Sequence, residues 1–400
     1  MSTQDLIKSL ARSTPSRIIL LVIDGLGGLP DPKTGKTELE SADIPNLDAL
    51  AKSGVCGLSV PVGAGITPGS APGHTALFGY DPLTVSIGRG VLEAVGIDFP
   101  VKRGDVLARG NFCTVDKKGN ITDRRAGRIS TELNASLCPL LEMKIDDIDI
   151  LTAPVKEHRF VIAFRGKGLS PQVTESDPQL EGIPPNHVKA LTYRASKMAS
   201  IANQFAEKAA VILKNKKPAN MVLMRGFSQT PHLPSMKEIY QLKAAAIATY
   251  PMYRGLARLV GMDVLPAGLT IEDEVAAVKK YYRKYDFFFM HYKKTDAAGE
   301  DGDFVRKVKA LEEIDRLMPD MMSLRPDVVV VTGDHSTPAL MKTHSWHPVP
   351  TILCSQYCRC DDVNEFSEKA CLRGGLGVFP ATDIMPLAMA NALKLNKYGA

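Results

Sequence analysis

The residues best equipped for chemistry in this chain are one serine, three aspartates and a few histidines. Ser70 sits in "GITPGSAPGH" among Gly65, Pro68, Gly69, Pro72 and Gly73. That composition reads as an irregular loop, because glycine frees the backbone and proline removes a donor. A serine hydroxyl is a poor nucleophile until a base or a cation draws off its proton. No G-x-S-x-G elbow surrounds Ser70, and His74, four residues on, reads equally well as a packing residue. A divalent cation is the better activator, and the chain carries donors for one. They are Asp24, Asp296, Asp334 with His335 beside it, and His344 and His347 in "KTHSWHPVP". Carboxylate and imidazole together suit borderline ions such as Mn²⁺, Zn²⁺ or Co²⁺. Any one of these residues is also explained by helix capping or a bond to a loop carbonyl. Gathered in one place, they make a metal site.

A second constellation is cationic. "DRRAGR" holds Asp123, Arg124, Arg125 and Arg128, and "MRG" holds Arg225. Arginine forks match phosphate and carboxylate oxygens two at a time. Taken alone the run also fits a solvated face; on a domain that closes over a metal site it is a substrate clamp. "GRGVLEAVG", Gly88 to Gly96, has the glycines of a phosphate loop but follows no strand.

The elements that must position these groups are strands that stop at acids. "RIILLVIDG", "YDFFFMHYKKTD" and "DVVVVTGDHSTP" are short apolar runs of the kind found in buried parallel strands, ending near Asp24, Asp296 and Asp334. Helical patterns such as "IPNLDALAKSG", "IEDEVAAVKKYYRKY" and "DFVRKVKALEEIDRLMPDMM" alternate with them. This predicts a doubly wound α/β core with its ligand site beyond the carboxyl ends of the strands. Between the acid-ended strands the pattern changes to hairpins, with a turn at "KKGN", a strand at "HRFVIAFRGKG" and a helix at "YRASKMASIANQFAEKAAVILKN". The expected organisation is a discontinuous core, residues 1–104 and 237–400, with a smaller α+β domain inserted at 105–236.

Composition narrows the field. The chain has 400 residues, a net charge of +5 and no basic block, which disfavours a nucleic-acid partner. "IILLVI" and "FFFM" are too short to span a bilayer, and the N-terminal stretch has no apolar signal region. Seven scattered cysteines, with "CSQYCRC" lacking the usual zinc spacing, suit reduced thiols in the cytoplasm. The oligomeric state is not readable. With no G-x-G-x-x-G after the first strand, a dinucleotide-dependent oxidoreductase is disfavoured.

Asp24 in "VIDGLG", Ser70 in "PGSAPGH…LFGYDP", "DRRAGR", Asp296 in "KKTDAAGEDGD", "TGDHSTP" and "HSWHPVP" follow one another along nearly the whole chain. In this order they resemble the archaeal-type, 2,3-bisphosphoglycerate-independent phosphoglycerate mutases of the alkaline phosphatase superfamily. The resemblance implies an alkaline-phosphatase-like α/β core with an inserted lid. It implies interconversion of 3-phosphoglycerate and 2-phosphoglycerate through a phosphoserine, with no 2,3-bisphosphoglycerate cofactor. It also implies two divalent ions, Mn²⁺ first, with Mg²⁺, Co²⁺ or Zn²⁺ as substitutes. One would be held by Asp24, Ser70, Asp334 and His335, the other by Asp296, His344 and Glu300. Glu300 stands where the family usually has histidine, and Trp346 and His347 stand where it has small or acidic residues. Arg124, Arg125 and Arg128 with Asp123 would grip the substrate, aided by Arg225, Arg254 and Lys293. A phosphatase or phosphodiesterase of the same superfamily would share the metal and serine motifs and release its alcohol to water.

Overall fold

A computed structural model describes residues 3–85, 87–231 and 233–399. The chain opens with strands β1 (Ile18–Ile23) and β2 (Val55–Val60). It then passes through β3 (Val106–Val115), β4 (Ile121–Asp123), β5 (Met143–Ile145), β6 (Ile148–Lys156), β7 (Arg159–Arg165) and β8 (Met221–Gln229). It returns with β9 (Ala244–Ile247), β10 (Asp263–Val264), β11 (Phe287–Tyr292), β12 (Val328–Thr332), β13 (Val349–Ser355) and β14 (Gly377–Pro380). Two compact units result, Met1–Ser86 with Leu233–Ala400, and Ile87–His232.

The larger unit is built on one sheet of order β10-β9-β11-β1-β12-β13-β2-β14. Every pairing is parallel except those of β13, which runs against both β12 and β2. β1, β11 and β12 are buried along their whole length, which is why their sequences are unbroken apolar runs with no alternation. Alternate residues still separate by face: Ile19, Leu21 and Ile23 of β1 join Phe288 and Met290 of β11 in one core cluster. Against that face lie the helices Pro45–Ser53, Ile271–Tyr281 and Phe304–Asp315, through Leu47 and Leu50, Val275 and Val278, and Leu311 and Ile314. The last two helices announce their starts in sequence, since Thr270 and Asp303 accept from the backbone N–H three residues on.

The smaller unit is an antiparallel sheet of order β4-β3-β7-β6-β5, with β8 also pairing β3. Helices Thr131–Leu141 and Ser196–Leu213 cover it through Leu137 and Leu141, and Ile201, Phe205 and Leu213, over Phe112, Phe160 and Phe164. The sequence places the start of this unit at 105. In the structure it begins at 87, because "GRGVLEAVG" is not a loop but the helix Arg89–Gly96, tied to β8 where Val91 N–H donates to Ser228 Oγ at 3.3 Å. No helix among the described residues is long and apolar enough to cross a membrane.

Candidate active site

β11, β1 and β12 are adjacent parallel strands at the middle of the larger sheet. Their register pairs Ile23 with Tyr292 and Val22 with Thr332, so all three end at one edge. The chain continues there into Asp24, into Lys293 and Asp296, and into Asp334 and His335. Ser70 arrives from a different element. It is the first residue of a helix, Ser70–Leu77, where the sequence suggests a loop. Pro72 is tolerated because its missing N–H falls in the first turn. Gly73 is needed for packing: a Cβ there would lie 2.2 Å from the carbonyl oxygen of Asp334. That close approach sets Ser70 Oγ 3.2 Å from Nε2 of His335.

Nε2 of His335 also lies 3.4 Å from Oδ1 of Asp24 and 3.2 Å from Oδ2 of Asp334. Both carboxylate oxygens are buried and form no hydrogen bond of good geometry, and Oδ2 of Asp334 also has Nδ1 of His74 at 3.1 Å. An anionic oxygen left bare in a protein interior costs several kcal/mol unless a charge meets it. The donor set and the two orphaned oxygens therefore fit a divalent cation held by Asp24, Ser70, Asp334 and His335. A second group forms beside it. Oδ1 of Asp296 is 3.6 Å from Nε2 of His344 and 4.0 Å from Nδ1 of His335, and Oε1 of Glu300 is 3.7 Å from Nε2 of His344. Nδ1 of His344 lies 2.9 Å from the carbonyl of Pro68, which only accepts, so Nδ1 carries the proton and Nε2 offers its lone pair. Among the described residues, Asp24, Asp334 and His335, and Asp296, His335 and His344, are the two groups spaced to hold a metal ion. Glu300 reaches the second from an exposed position. Asp301 pairs instead with Arg306, and His347 bonds Ser345 Oγ and stacks on Trp346, outside both groups.

The electrostatics of this edge draw positive charge in. Burial and Asp334 both oppose ionisation of Asp24, yet the His291 hydrogen bond and the Lys293 charge hold its pKa below the usual value. Burial likewise opposes ionisation of Asp334, and His335 and His74 outweigh it by a wide margin. Burial works against a charged His335, but Asp334, Asp24 and Asp296 push its pKa up to about 9.

Residues outside the expected ligand set hold this geometry, Tyr253 and His291 among them unremarked by sequence reasoning. Three donors converge on Oδ2 of Asp24: the hydroxyl of Tyr253 at 2.5 Å, Nε2 of His291 at 3.1 Å and Nζ of Lys293 at 3.1 Å. With Oδ2 saturated, Oδ1 is left to face the site. Lys293 also bonds Asp296, so it bridges the acids of the two groups rather than standing apart as an anion receptor. Nδ1 of His74 is 2.9 Å from the Ser70 carbonyl and 3.1 Å from Oδ2 of Asp334, tying the serine helix to β12. The one signal for His291 was a histidine inside the apolar run "FFFMHY"; Tyr253, on helix Pro251–Leu259, gave none. Arg254 follows Tyr253 on that helix and is half-buried.

The arginines form a separate feature of the smaller unit. Arg124, Arg125, Arg128 and Arg225 line one cavity of about 500 Å³, together with Arg109 and Arg159, which the sequence did not single out. Arg109 and Arg225 are direct partners in the β3–β8 register. Counter-charges steady some of them: Arg124 forks onto Asp177 at 3.0 and 2.8 Å, and Arg225 bonds Glu175 at 3.1 Å. Arg125 and Arg128 are exposed. Asp123 accepts from the backbone N–H groups of Arg125 (2.7 Å) and Gly127 (2.6 Å), so its carboxylate shapes the arginine loop.

Known proteins resemble this chain along its length. A family model for 2,3-bisphosphoglycerate-independent phosphoglycerate mutase matches residues 51–220. A probable 2,3-bisphosphoglycerate-independent phosphoglycerate mutase of Thermotoga neapolitana is 50% identical over 404 residues, covering all of both chains. The corresponding protein of Thermus thermophilus is 48% identical over 98% of each. Among solved structures, the cofactor-independent phosphoglycerate mutase of Thermoplasma acidophilum aligns with a TM-score of 0.74 at 30% identity, over 94% of this chain and all of the other. The PH0037 protein of Pyrococcus horikoshii aligns at 0.83 and 28% identity, over 97% of this chain and all of that one. With half of its residues shared along its full length, this chain belongs to the 2,3-bisphosphoglycerate-independent phosphoglycerate mutases, a family of isomerases.

Proposed function

We propose that this enzyme interconverts 3-phosphoglycerate and 2-phosphoglycerate in the cytoplasm through a phosphoserine on Ser70, at a site for two divalent ions, Mn²⁺ first. The observation that carries the proposal is the placement of Ser70 Oγ 3.2 Å from His335 Nε2, beside two buried carboxylate oxygens that form no hydrogen bond of good geometry. Asp24, Ser70, Asp334 and His335 would hold one ion, and Asp296, His344 and Glu300 the other. When bound, such ions lower the proton affinity of a serine hydroxyl and offset the charge of a transferring phosphoryl group.

The chain's own residues do the rest. Ser70 Oγ loses its proton and bonds phosphorus as the bond to the departing glycerate oxygen breaks, and that oxygen ends protonated. Ser70 heads a helix, whose first N–H groups favour the anion it receives. His74 keeps the serine helix fixed to Asp334 while the hydroxyl is consumed and regenerated. The retained glycerate reorients, and its second hydroxyl attacks phosphorus and frees Ser70. Arg124, Arg125, Arg128 and Arg225, with Arg109 and Arg159, are suited to the carboxylate and phosphate of that substrate. Lys293 supports Asp24 and Asp296. A coupled assay with Mn²⁺, 3-phosphoglycerate and no added 2,3-bisphosphoglycerate tests the reading; formation of 2-phosphoglycerate is expected, and free phosphate as the main product would replace the mutase with a phosphatase.

A further inference from the structure

The two candidate metal groups share a residue that ligates neither. Thr337 lies two positions after His335 and is fully buried. Its Oγ1 is 2.7 Å from Oδ1 of Asp296 and 3.0 Å from Nδ1 of His335. A hydroxyl has one proton, and an ionised carboxylate can only accept. The threonine proton therefore goes to Asp296, and the threonine oxygen must accept from His335. That assigns the His335 proton to Nδ1. In the neutral ring, the form that can bind a metal, Nε2 is then the bare nitrogen, and it faces Asp24, Asp334 and Ser70.

Thr337 is itself held from three other directions. Its backbone N–H donates to the carbonyl of Gly27 at 3.0 Å. Its carbonyl accepts from Nζ of Lys307 at 2.9 Å, and the same buried ammonium binds the Gly27 carbonyl at 2.9 Å. Gly25, with φ of +66°, passes so close that a Cβ there would lie 2.6 Å from Thr337 Oγ1. The backbone of Thr337 is thus fixed, with the Gly25 backbone close beside its hydroxyl.

We propose that Thr337 is the positioning residue that fixes the ligating tautomer of His335 and couples the first metal group to the second through Asp296. This rests on the two-ion reading above. The hydroxyl does for His335 what an outer carboxylate or carbonyl does for other metal-bound histidines: it orients the ring and sets which nitrogen is free.

Thr337→Val keeps the side chain's shape and removes the bridge. Titration calorimetry of the full chain with Mn²⁺ should show affinity about 10- to 100-fold weaker than wild type, and Thr337→Ser should restore it. Nitrogen-15 histidine spectra of the wild-type chain loaded with Zn²⁺ should show His335 protonated at Nδ1 and metal-shifted at Nε2, a test that does not depend on any variant folding. Metal on Nδ1 overturns the proposal. So does wild-type affinity in Thr337→Val, or a Thr337→Ser chain as weak as the valine variant. A wild-type chain that takes up neither ion overturns the two-ion reading and this proposal with it; one that binds two ions while the valine variant matches it overturns this proposal alone.

Discussion

The hydroxyl of Tyr253 lies 2.5 Å from Oδ2 of Asp24, with both side chains fully buried. Burial, then the charges of Asp24 and Asp334, raise the phenol's pKa, so it stays protonated and donates. A hydrogen bond to a buried charged group contributes about 1.5–3 kcal/mol. Tyr253→Phe should lower unfolding free energy in urea by about that amount and weaken Mn²⁺ binding, because Asp24 then turns more freely. An unchanged midpoint would mean that His291 and Lys293 suffice to hold the carboxylate.

Ser70→Ala should fold and bind cations but lose mutase activity by several orders of magnitude, the scale at which loss of a covalent nucleophile acts. Mass spectrometry of wild-type enzyme quenched with substrate should find the phosphate on Ser70. Full activity in the alanine variant, or phosphate on another residue, would remove Ser70 from the mechanism.

Arg125 and Arg128 are exposed in the smaller unit's cavity, while Arg124 is forked onto Asp177. If these arginines retain the glycerate between half-reactions, replacing Arg125 or Arg128 by alanine should raise KM and increase phosphate released per turnover. Arg124→Ala should do this and also destabilise the fold, since it removes the two-point partner of the buried carboxylate of Asp177. Three variants with wild-type kinetics would leave the cluster as a solvated face.

Glu300 gives the second group a carboxylate 3.7 Å from His344 Nε2. An anionic oxygen makes a harder site, shifting preference from Zn²⁺ or Co²⁺ toward Mn²⁺ or Mg²⁺. Glu300→Ala should weaken one of two Mn²⁺ binding events in calorimetry, and Glu300→His should restore tolerance of Zn²⁺. Two undiminished sites in the alanine variant would exclude Glu300 as a ligand.

The smaller unit should be acid-sensitive through His158. Burial, then the charge of Arg159, lowers its pKa to about 4, against an ordinary value of about 6.5. Below pH of about 6.5 the unfolded chain takes a proton that the folded chain refuses. Stability is therefore fully present above that pH and falls between about 6.5 and 4. Urea unfolding across this window should show the decline, and His158→Gln should flatten it. Equal pH dependence in the variant would assign the acid sensitivity to other groups.

Much of this architecture was legible in the sequence. β1, β11 and β12 read as buried strands because continuous apolar runs admit no exposed face, and each ended at an acid that became a site residue. The hairpin of β3 and β4 was marked by "KKGN", where Asp116 accepts from Lys118 and Asn120. What could not be read depends on partners far away in the chain. The serine helix looked like a loop because glycine and proline break structure on average, whereas Gly73 serves a close contact with Asp334. Tyr253 and His291 act as hydrogen-bond partners of a residue 229 and 267 positions away, and Thr337, besides its near neighbour His335, reaches Asp296 41 positions away, distances no local pattern encodes. Arg109 joins Arg225 only through antiparallel pairing.

The position of β1 bears on how the protein is made. Ile18 pairs with Phe287 on one side and Val328 on the other, so β1 lies between two strands that emerge hundreds of residues later. The intervening unit, Ile87–His232, is a continuous stretch with its own core and completes its sheet from its own strands. On the ribosome, the arginine cavity can therefore be finished while β1 and the Ser70 helix still lack their neighbours. Asp24 and Ser70 must wait for Asp296, Asp334 and His344, so the candidate site's edge closes only late in translation. Such long-range closure is slow and leaves apolar strand edges open meanwhile. The nascent chain's need for protection thus falls on β1.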